Sequence, residues 1–566
     1  MEPFPMLTQD RTVLNSDGNS HVVKSRDEQY DAGMRDLDHY SRRLPMWRYT
    51  LRQHLIPIVR WETPHLAYLQ EMCRTPLLDS YFALTANLGA HTFFMTALPI
   101  LFWCGSTTLG RAMVHMLASG VFISGVLKDM VCIPRPLSPP LVRITMSKSA
   151  ALEYGFPSTH STNAVSVATY ALYYLHTTDF GLSSSVRFAA IGVGYAYAAS
   201  IAIGRLYCGM HGFFDVLAGG ALGALMALLQ IVYGEMIDKW VLADSFLNPL
   251  IITAVLLLAV RLHPEPADNC PCFDDSVAFA GVLIGIEFGL WHYSKTAFSY
   301  DSPVPGTVPF DLRTLGWLRT TARIVVGIVV VFMWRATMKP LLLRCLPPIF
   351  RIIDHLGFIL PRRYFMPADQ YELIPPLRKD DNVIPSASDL PGFITSLRHP
   401  RRRAISIGPQ SEADAHEVIA SREQRRRASM SQPTLSPLRR RAYTESEALS
   451  AAVIRKLSVG HTSEGDQRKF TIDAIAAVHG TKGSGIAKTH ILADAPPTPP
   501  ASDASAASDS SKEEERLDRE MFSQLEKPRV RYDVEVVTKL VIYAGIAWLA
   551  VEGNPIFFEL VGLGMR

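Results

Sequence analysis

The stretch GRLYCGMHGFFDVLAGG, residues 204–220, decides the fold because it joins two long apolar segments. Residues 188–204 before it and 216–233 after it contain no Asp, Glu, Lys or Arg. Segments of this length and composition are typical of transmembrane helices. The joining stretch nevertheless carries Arg205 and His211, followed by Asp215. Charged residues at the edge of a membrane segment are costly, so their presence indicates a function.

Further apolar segments make the chain a predicted multi-pass membrane protein. It has 566 residues, 48% of them hydrophobic, and a formal net charge of +3. We predict an all-α fold, a polytopic membrane bundle of about 8–9 transmembrane helices, because each apolar segment is long enough to span. The predicted helices lie near residues 81–104, 111–128, 160–176, 187–204, 213–233, 246–262, 276–292, 321–337 and 536–551.

The polar segments divide the chain into four predicted regions. Residues 1–42 are polar and predicted to be disordered, and residues 43–365 hold the membrane domain. That domain opens with an amphipathic segment, residues 43–75, which we expect at the membrane interface. Residues 366–531 are rich in Ser, Ala, Arg, Pro and Glu, and such a composition predicts a long disordered insertion. Residues 532–566 hold a C-terminal transmembrane helix.

Two other features bound the function. The seven cysteines show no disulfide framework in their spacing, and we interpret them as free thiols. The runs RRRAIS and RRRASMS place Ser406 and Ser429 after arginines, as in the sites of basophilic kinases; a solvated charge run is the alternative. Nucleic-acid binding has little support, because no aromatic residues interleave with these arginines.

The opening stretch supplies the first part of a catalytic site. On a helix that starts near His211, Asp215 lies four residues on and shares its face. An imidazole beside a carboxylate is held in one tautomer, so its other nitrogen becomes a better base or nucleophile. Arg205 offers a planar fork that suits phosphate oxygens. A nucleophile, its orienting group and an anion clamp therefore lie within a few residues.

Two further stretches supply the remaining groups. KDMVCIPRP places Lys128 at the end of the second helix and Arg135 between two prolines, which break the helix. YGFPSTHS places Ser158, Thr159 and His160 at the start of the third helix, where backbone N–H groups bind anions. His160 there is positioned to donate a proton to a leaving oxygen. The order of the predicted helices puts all three stretches on one side of the membrane.

Together these stretches read Lys-x6-Arg-Pro, Pro-Ser-x-His and Arg-x5-His-x3-Asp. This order and spacing resemble the signature of the type 2 phosphatidic acid phosphatase superfamily, which includes lipid phosphate phosphatases, glucose-6-phosphatase and vanadium haloperoxidases. The variants PSTHS and RLYCGMH resemble the sphingosine-1-phosphate and dihydrosphingosine-1-phosphate phosphatase branch. Gly204 stands where the family usually has Ser, and Thr159 where most members have Gly. The resemblance covers residues 40–365 and the last helix.

The resemblance implies a role for each matched residue. His211 would attack phosphorus, Asp215 would orient it, and His160 would protonate the leaving alcohol and then activate water. The phosphate oxygens would be bound by Lys128, Arg135, Arg205, Ser158 and Thr159. The resemblance implies no metal or other cofactor, and the sequence has no carboxylate cluster with Mg²⁺ or Zn²⁺ spacing.

The expected function is that of a metal-independent lipid phosphatase in sphingolipid metabolism. It would hydrolyse dihydrosphingosine or sphingosine 1-phosphate to free base and phosphate through a phospho-histidine. Two alternatives stay open: a broader phosphatase acting on phosphatidic acid or a polyisoprenyl pyrophosphate, and a non-catalytic membrane scaffold or transporter. Glu287 is a predicted partner for the ammonium group of the substrate, with a helix–helix hydrogen bond as its alternative. The substrate is a membrane lipid, and no obligate protein partner is implied.

The resemblance also implies a multi-pass protein of the endoplasmic reticulum membrane, with its site facing the lumen. The number of Lys and Arg residues in the flanking segments instead favours a site that faces the cytosol, because positively charged segments usually stay on the cytosolic side of the membrane. Both orientations stay open at the level of sequence.

Overall fold

The structure is a computed structural model. All the residues that it describes belong to one compact unit, formed by residues 1–419 and 518–566. The described residues are 12–14, 20–22, 31–357 without 36, 90, 139, 146–151 and 269, then 365–372, 374 and 531–565. The predicted kinase sites at Ser406 and Ser429 and most of the predicted insertion lie outside these residues.

The described chain is built from helices, with only short strands. Two strands, β1 (Thr12–Leu14) and β2 (Ser20–Val22), pair antiparallel at the N-terminus. The helices as far as the catalytic stretch are α1 (Leu37–Arg43), α2 (Met46–Cys73), α3 (Pro76–Asn87), α4 (His91–Trp103), α5 (Thr107–Val131), α6 (Thr159–Thr177) and α7 (Ser184–Tyr207). The following elements are α8 (Phe213–Val241), α9 (Leu247–Leu262), α10 (Cys272–Tyr293), α11 (Leu312–His355), β3 (Phe365–Met366), β4 (Arg531–Tyr532), α12 (Val534–Trp548), a π turn (Leu549–Gly553) and α13 (Asn554–Leu560).

Helix α5 lies at the centre of the bundle. In its most apolar stretch 67% of the residues are buried within the protein, against 6% for α7, so α7 presents its apolar residues outward. The main apolar core lies between α5, α10 and α12 and includes Val121, Phe279 and Ile546. An α-helix whose outer surface is this apolar is stable only where water is excluded.

Small residues bring α8 close to α6. A Cβ atom added at Gly219 would lie 2.4 Å from the carbonyl oxygen of Ser158, and one at Gly223 would lie 2.3 Å from that of Thr162. Both positions therefore require glycine, which lets the two backbones approach. This contact holds the first turn of α8 against the first turn of α6, where the predicted catalytic residues lie.

The described residues form a multi-pass membrane protein. Five of their helical segments are long and apolar enough to cross a membrane: Thr107–Val131, Ser184–Tyr207, Phe213–Val241, Leu312–His355 and Val534–Leu560. The fold class is confirmed, whereas the count of 8–9 spanning helices is not. The single helix predicted over residues 81–104 is wrong, because α3 and α4 divide it. The N–H of Gly89 bonds to the carbonyl of Ala86, and this tight turn ends α3.

The end of the polar N-terminus is part of the folded unit, contrary to the prediction of disorder up to residue 42. Tyr40 is fully buried, donates a hydrogen bond to Asp268 at 2.9 Å and lies under the guanidinium of Arg52. Asp31 accepts from Arg143 at 3.0 Å. The composition of this segment does not indicate that it is folded, because its polar and charged side chains bind partners far along the chain.

The two ends of the predicted insertion are also joined to the bundle. Strands β3 and β4 pair in parallel, with Phe365 opposite Arg531. Asp533 accepts hydrogen bonds from the backbone of Ala368 and from the hydroxyl of Tyr371. The first and last residues of the predicted insertion therefore pack in the membrane domain.

The interpretation of all seven cysteines as free thiols is wrong for two of them. Cys270 and Cys272 are joined by a disulfide across Pro271. With Asp129 they bring potential metal-ligand atoms within 4.8 Å of one another. A disulfide has no thiolate, so this group is not a cysteine metal site in the form seen here.

Candidate active site

Four helix ends converge on the predicted catalytic residues. Lys128 lies in the last turn of α5 and Arg205 in the last turn of α7, while Thr159 begins α6 and Asp215 lies in the first turn of α8. The chain leaves α5 at Cys132, which adopts a left-handed conformation before the proline-rich loop. The positive helix N-termini and the cations thus surround one point, as an anion site requires.

His211 is held in one tautomer. Its Nδ1 lies 2.9 Å from the carbonyl oxygen of Gly155, which can only accept, so Nδ1 carries the proton. Its Nε2 lies 3.1 Å from Nη1 of Arg135, which can only donate. The lone pair of Nε2 is therefore directed toward the cations, the arrangement needed for attack on phosphorus.

Asp215 stabilises the loop that carries His211. Its Oδ2 accepts from the N–H of Gly212 at 3.0 Å and lies 3.6 Å from Nδ1 of His211. The backbone carbonyl of Asp215 accepts from the N–H of Ser158 at 3.0 Å. The hydrogen bond to the imidazole is thus made by Gly155, and Asp215 acts on His211 through its charge and the loop. The orienting role of Asp215 stays a prediction.

Two of the three predicted phosphate-binding cations contact a carboxylate that sequence reasoning missed. Arg135 donates to the carboxylate of Glu153 at 3.0 Å, and Lys128 does so at 3.5 Å. Nε of Arg135 also donates to the carbonyl oxygen of Glu153 at 3.1 Å. An anion therefore already lies between the two cations.

Arg205, the third cation, differs from the other two. Its side chain is buried, and across the part of the chain that the structure describes Nε has no hydrogen-bond partner and the guanidinium has no ion pair. A buried charge without a counter-ion is costly. Such a group suits a bound anion.

The cations also set the protonation state of His211. Burial lowers the pKa of His211 well below its usual range, and the charges of Arg135, Lys128 and Arg205 lower it further. Burial lowers the pKa of Arg135 as well, while Glu153 opposes that change. His211 is therefore neutral at pH 7 and available as a nucleophile.

The start of α6 supplies the remaining predicted groups. Ser158 caps the helix, because its Oγ accepts from the N–H of Ser161 at 3.3 Å. The hydroxyl of Thr159 lies 3.1 Å from that of Ser124 on α5. The hydroxyls thus fasten the helix end, and the positive N-terminal end of α6 suits an anion.

His160 lies on the same first turn. Its charge contributes to the lowered pKa of His211. A Cβ atom at Gly89, in the turn between α3 and α4, would lie 3.5 Å from the ring of His160. The turn that divides the predicted first helix therefore borders the proposed acid.

Helix α2, predicted only as an interfacial segment, helps to build the site. Glu62 accepts from the N–H of Phe214 at 2.8 Å. Gln70 donates to the carbonyl oxygens of Tyr207 and Val142 at 2.7 and 3.0 Å. These contacts hold the ends of α7 and α8 against the proline-rich loop. Polar residues recurring on one face of α2 were the available signal.

The structure does not bring Glu287 to this site. Its carboxylate contacts Arg111 at 3.0 Å and His115 at 2.6 Å, both on α5. Lys128 follows Arg111 by 17 residues on the same helix, so it lies about 25 Å further along the axis. Glu287 is a helix–helix contact at the opposite end of α5, and its predicted contact with the substrate is wrong.

Gly204, where the family usually has Ser, lies against α3. A Cβ atom at this position would lie 2.9 Å from the ring of Phe82. In this chain an aromatic ring fills the space that a serine would need.

The geometry and the sequence comparisons agree on one class of protein. The chain matches the PAP2 superfamily over residues 109–237, from the start of α5 to near the end of α8. It is 39% identical to a dihydrosphingosine 1-phosphate phosphatase of Schizosaccharomyces pombe, covering 56% of this chain and 75% of that protein. It is 34% identical to a dihydrosphingosine 1-phosphate phosphatase of Saccharomyces cerevisiae, and the match covers 50% of this chain and 69% of that protein. It is 29% identical to human sphingosine-1-phosphate phosphatase 2, and the match covers 48% of this chain and 67% of the human protein.

The chain belongs to the PAP2 superfamily. Its similarity to these relatives confirms the branch that the variants PSTHS and RLYCGMH predicted.

Proposed function

We propose that this protein is a membrane lipid phosphatase that hydrolyses sphingoid base 1-phosphates to the free base and phosphate. The observation that carries the proposal is the environment of His211. Its Nε2 is unprotonated, is directed at Arg135 and lies near Lys128 and Arg205. The substrate class rests on the similarity to phosphatases that are named for dihydrosphingosine and sphingosine 1-phosphate.

The first step forms a phospho-histidine. Nε2 of His211 attacks phosphorus, and the bond between phosphorus and the lipid oxygen breaks. His160 donates a proton to that oxygen, which leaves as the alcohol of the free base. Lys128, Arg135 and Arg205, with the N–H groups at the start of α6, bind the three other phosphoryl oxygens as negative charge builds on them.

The second step restores the enzyme. His160, now neutral, removes a proton from water, and the resulting oxygen attacks phosphorus from the side that the alcohol has left. The phosphorus–nitrogen bond breaks, phosphate departs, and Nε2 of His211 regains its lone pair. No metal takes part, because the side-chain cations meet the charge. The endoplasmic reticulum membrane is the proposed location, on the resemblance alone.

Phosphate release from a panel of lipids by the purified full-length protein tests this function. We expect turnover of dihydrosphingosine and sphingosine 1-phosphate to exceed that of phosphatidic acid and of a polyisoprenyl pyrophosphate. The variant His211→Asn should be inactive and should form no acid-labile phospho-enzyme. His176→Asn, which changes an exposed histidine in the last turn of α6, is the matched control and should keep the wild-type rate.

Each alternative has its own outcome in this assay. A preference for phosphatidic acid or the pyrophosphate would show that the substrate class is wrong and that the protein is still a lipid phosphatase. No turnover of any lipid by folded protein would favour a non-catalytic scaffold or transporter.

A further inference from the structure

Glu153 occupies the place of an anion beside two of the predicted phosphate-binding cations. Its carboxylate bridges Lys128 and Arg135, the two cations expected to bind phosphate, at 3.5 and 3.0 Å. The side chain is 27% exposed, whereas those of Lys128 and Arg135 are 7% and 5% exposed. Glu153 is therefore the most exposed of these three side chains.

The backbone of Glu153 is fixed, and its side chain is partly exposed. The carbonyl oxygen of Glu153 accepts from Nε of Arg135 at 3.1 Å. Two residues on, the N–H of Gly155 bonds to the carbonyl oxygen of Ile133 at 2.9 Å. A glutamate has three rotatable side-chain bonds, so its carboxylate can leave the cations without any movement of the chain.

The proposed substrate carries two charges of opposite sign close together. In a sphingoid base 1-phosphate, one oxygen and two carbons separate phosphorus from the ammonium nitrogen. A phosphate bound by Lys128 and Arg135 would displace the Glu153 carboxylate, since the dianion is the stronger partner for both cations. The displaced carboxylate would then lie beside the neighbouring ammonium group.

We infer that Glu153 forms an ammonium subsite that selects lipid phosphates bearing a free amine next to the phosphate. The subsite rests on the proposed function and deepens it. Glu153 exchanges two cations for one: it contacts Lys128 and Arg135 in this structure, and would contact the substrate ammonium when phosphate has taken its place. A lipid phosphate without the amine displaces the same carboxylate and supplies no cation in return.

The other carboxylates near the site do not fit this task. Asp215 accepts from the backbone of Gly212 and lies behind His211. Glu62 is buried, and its Oε1 is bound to the backbone of Phe214. Glu287 lies at the far end of α5. Glu153 alone among these four combines contact with the phosphate-binding cations and partial exposure of its side chain.

The test compares two lipids that differ at one group. They are dihydrosphingosine 1-phosphate and its analogue in which a hydroxyl replaces the amine, assayed at equal surface concentration in mixed micelles. We expect the wild-type protein to favour the amine, and Glu153→Gln to reduce that ratio of kcat/KM by roughly tenfold or more, the usual size of a lost charge-assisted contact.

The two substrates should respond in opposite directions. Glu153→Gln should lower kcat/KM for the amine and raise it for the analogue, because the competing carboxylate no longer occupies the cations. Glu153→Asp keeps the charge and should retain part of the preference. Glu71→Gln removes an exposed carboxylate near the end of α2 and should leave the ratio unchanged.

Three outcomes overturn the inference. Equal losses on both lipids, with a lower melting temperature, would make Glu153 a structural partner of Arg135. An unchanged preference of Glu153→Gln for the amine-bearing lipid would show that another group of the protein binds the amine. Equal wild-type rates on the two lipids would remove the subsite and leave the phosphatase intact. No wild-type turnover of the sphingoid phosphate would instead refute the proposed function.

Discussion

Replacing Arg205 by Met should change stability and activity in opposite directions. Arg205 is 6% exposed, and its Nε has no hydrogen-bond partner within the described part of the chain. It also lies close enough to Arg135 and His211 for its charge to lower the pKa of both, although burial is the larger cause for each. In this structure Arg205 is therefore a desolvated charge facing other positive charges.

The magnitudes follow from that environment. Exchanging a buried ionic group for an apolar one of similar size commonly stabilises a protein by about 1–4 kcal/mol, and we expect the lower half of that range because Arg205 lies at a helix end. Losing one preorganised partner of the phosphoryl group should lower kcat by roughly 10²–10³-fold. Arg135→Met is the matched comparison, since Arg135 donates to Met210 and to Glu153. Its loss should reduce both stability and activity.

The assay pairs thermal unfolding in detergent, followed by tryptophan fluorescence, with phosphate release at saturating lipid. Arg205→Met should melt at or above the wild-type temperature and turn over slowly, whereas Arg135→Met should melt lower. A melting temperature of Arg205→Met that falls as far as that of Arg135→Met would refute the reasoning. Arg205 would then be a structural residue.

Four further results are expected. The acid limb of the kcat/KM pH profile should lie below the usual histidine pKa of 6.5, because His211 must be neutral to attack and its lowered pKa keeps it neutral until the pH falls further. Arg205→Met should move that limb to higher pH, because one of the charges that lower the pKa of His211 is removed. A limb that does not move would belong to the substrate phosphate or to another group. Stability from the same residue should be complete above about pH 6.5 and decline below it, since the unfolded chain takes up the proton first, which pH-dependent melting would detect. Gly209→Ala should lower stability by about 1–2 kcal/mol, since this residue has φ +63° and its Cβ would lie 3.0 Å from the carbonyl oxygen of Val142; unchanged melting would show that the loop adapts. Turnover should survive EDTA, and loss that Mg²⁺ restores would contradict a site built from side-chain cations.

The membrane class and the order of the site residues could be predicted from the sequence. Long uncharged segments have few stable structures other than membrane helices, so composition alone indicated the bundle. The spacing from Arg205 through His211 to Asp215 is local, and one helix start converts it into a fixed geometry. Lys128, Ser158 and His160 were found in the same way, at the predicted ends of helices.

The contacts within the site were decided by the tertiary structure. The acceptor for His211 is the carbonyl of Gly155, 56 residues away, and a backbone group leaves no signal in the choice of side chain. Glu287 resembled a substrate ligand because a carboxylate in an apolar segment needs a partner, but only the packing of α10 on α5 identifies that partner as Arg111 and His115. Glu153 was overlooked for the converse reason, since a glutamate in a polar loop is unremarkable until the fold places it between two cations. Helical periodicity and motif spacing record interactions along one element, whereas these contacts join residues that only the folded chain brings together.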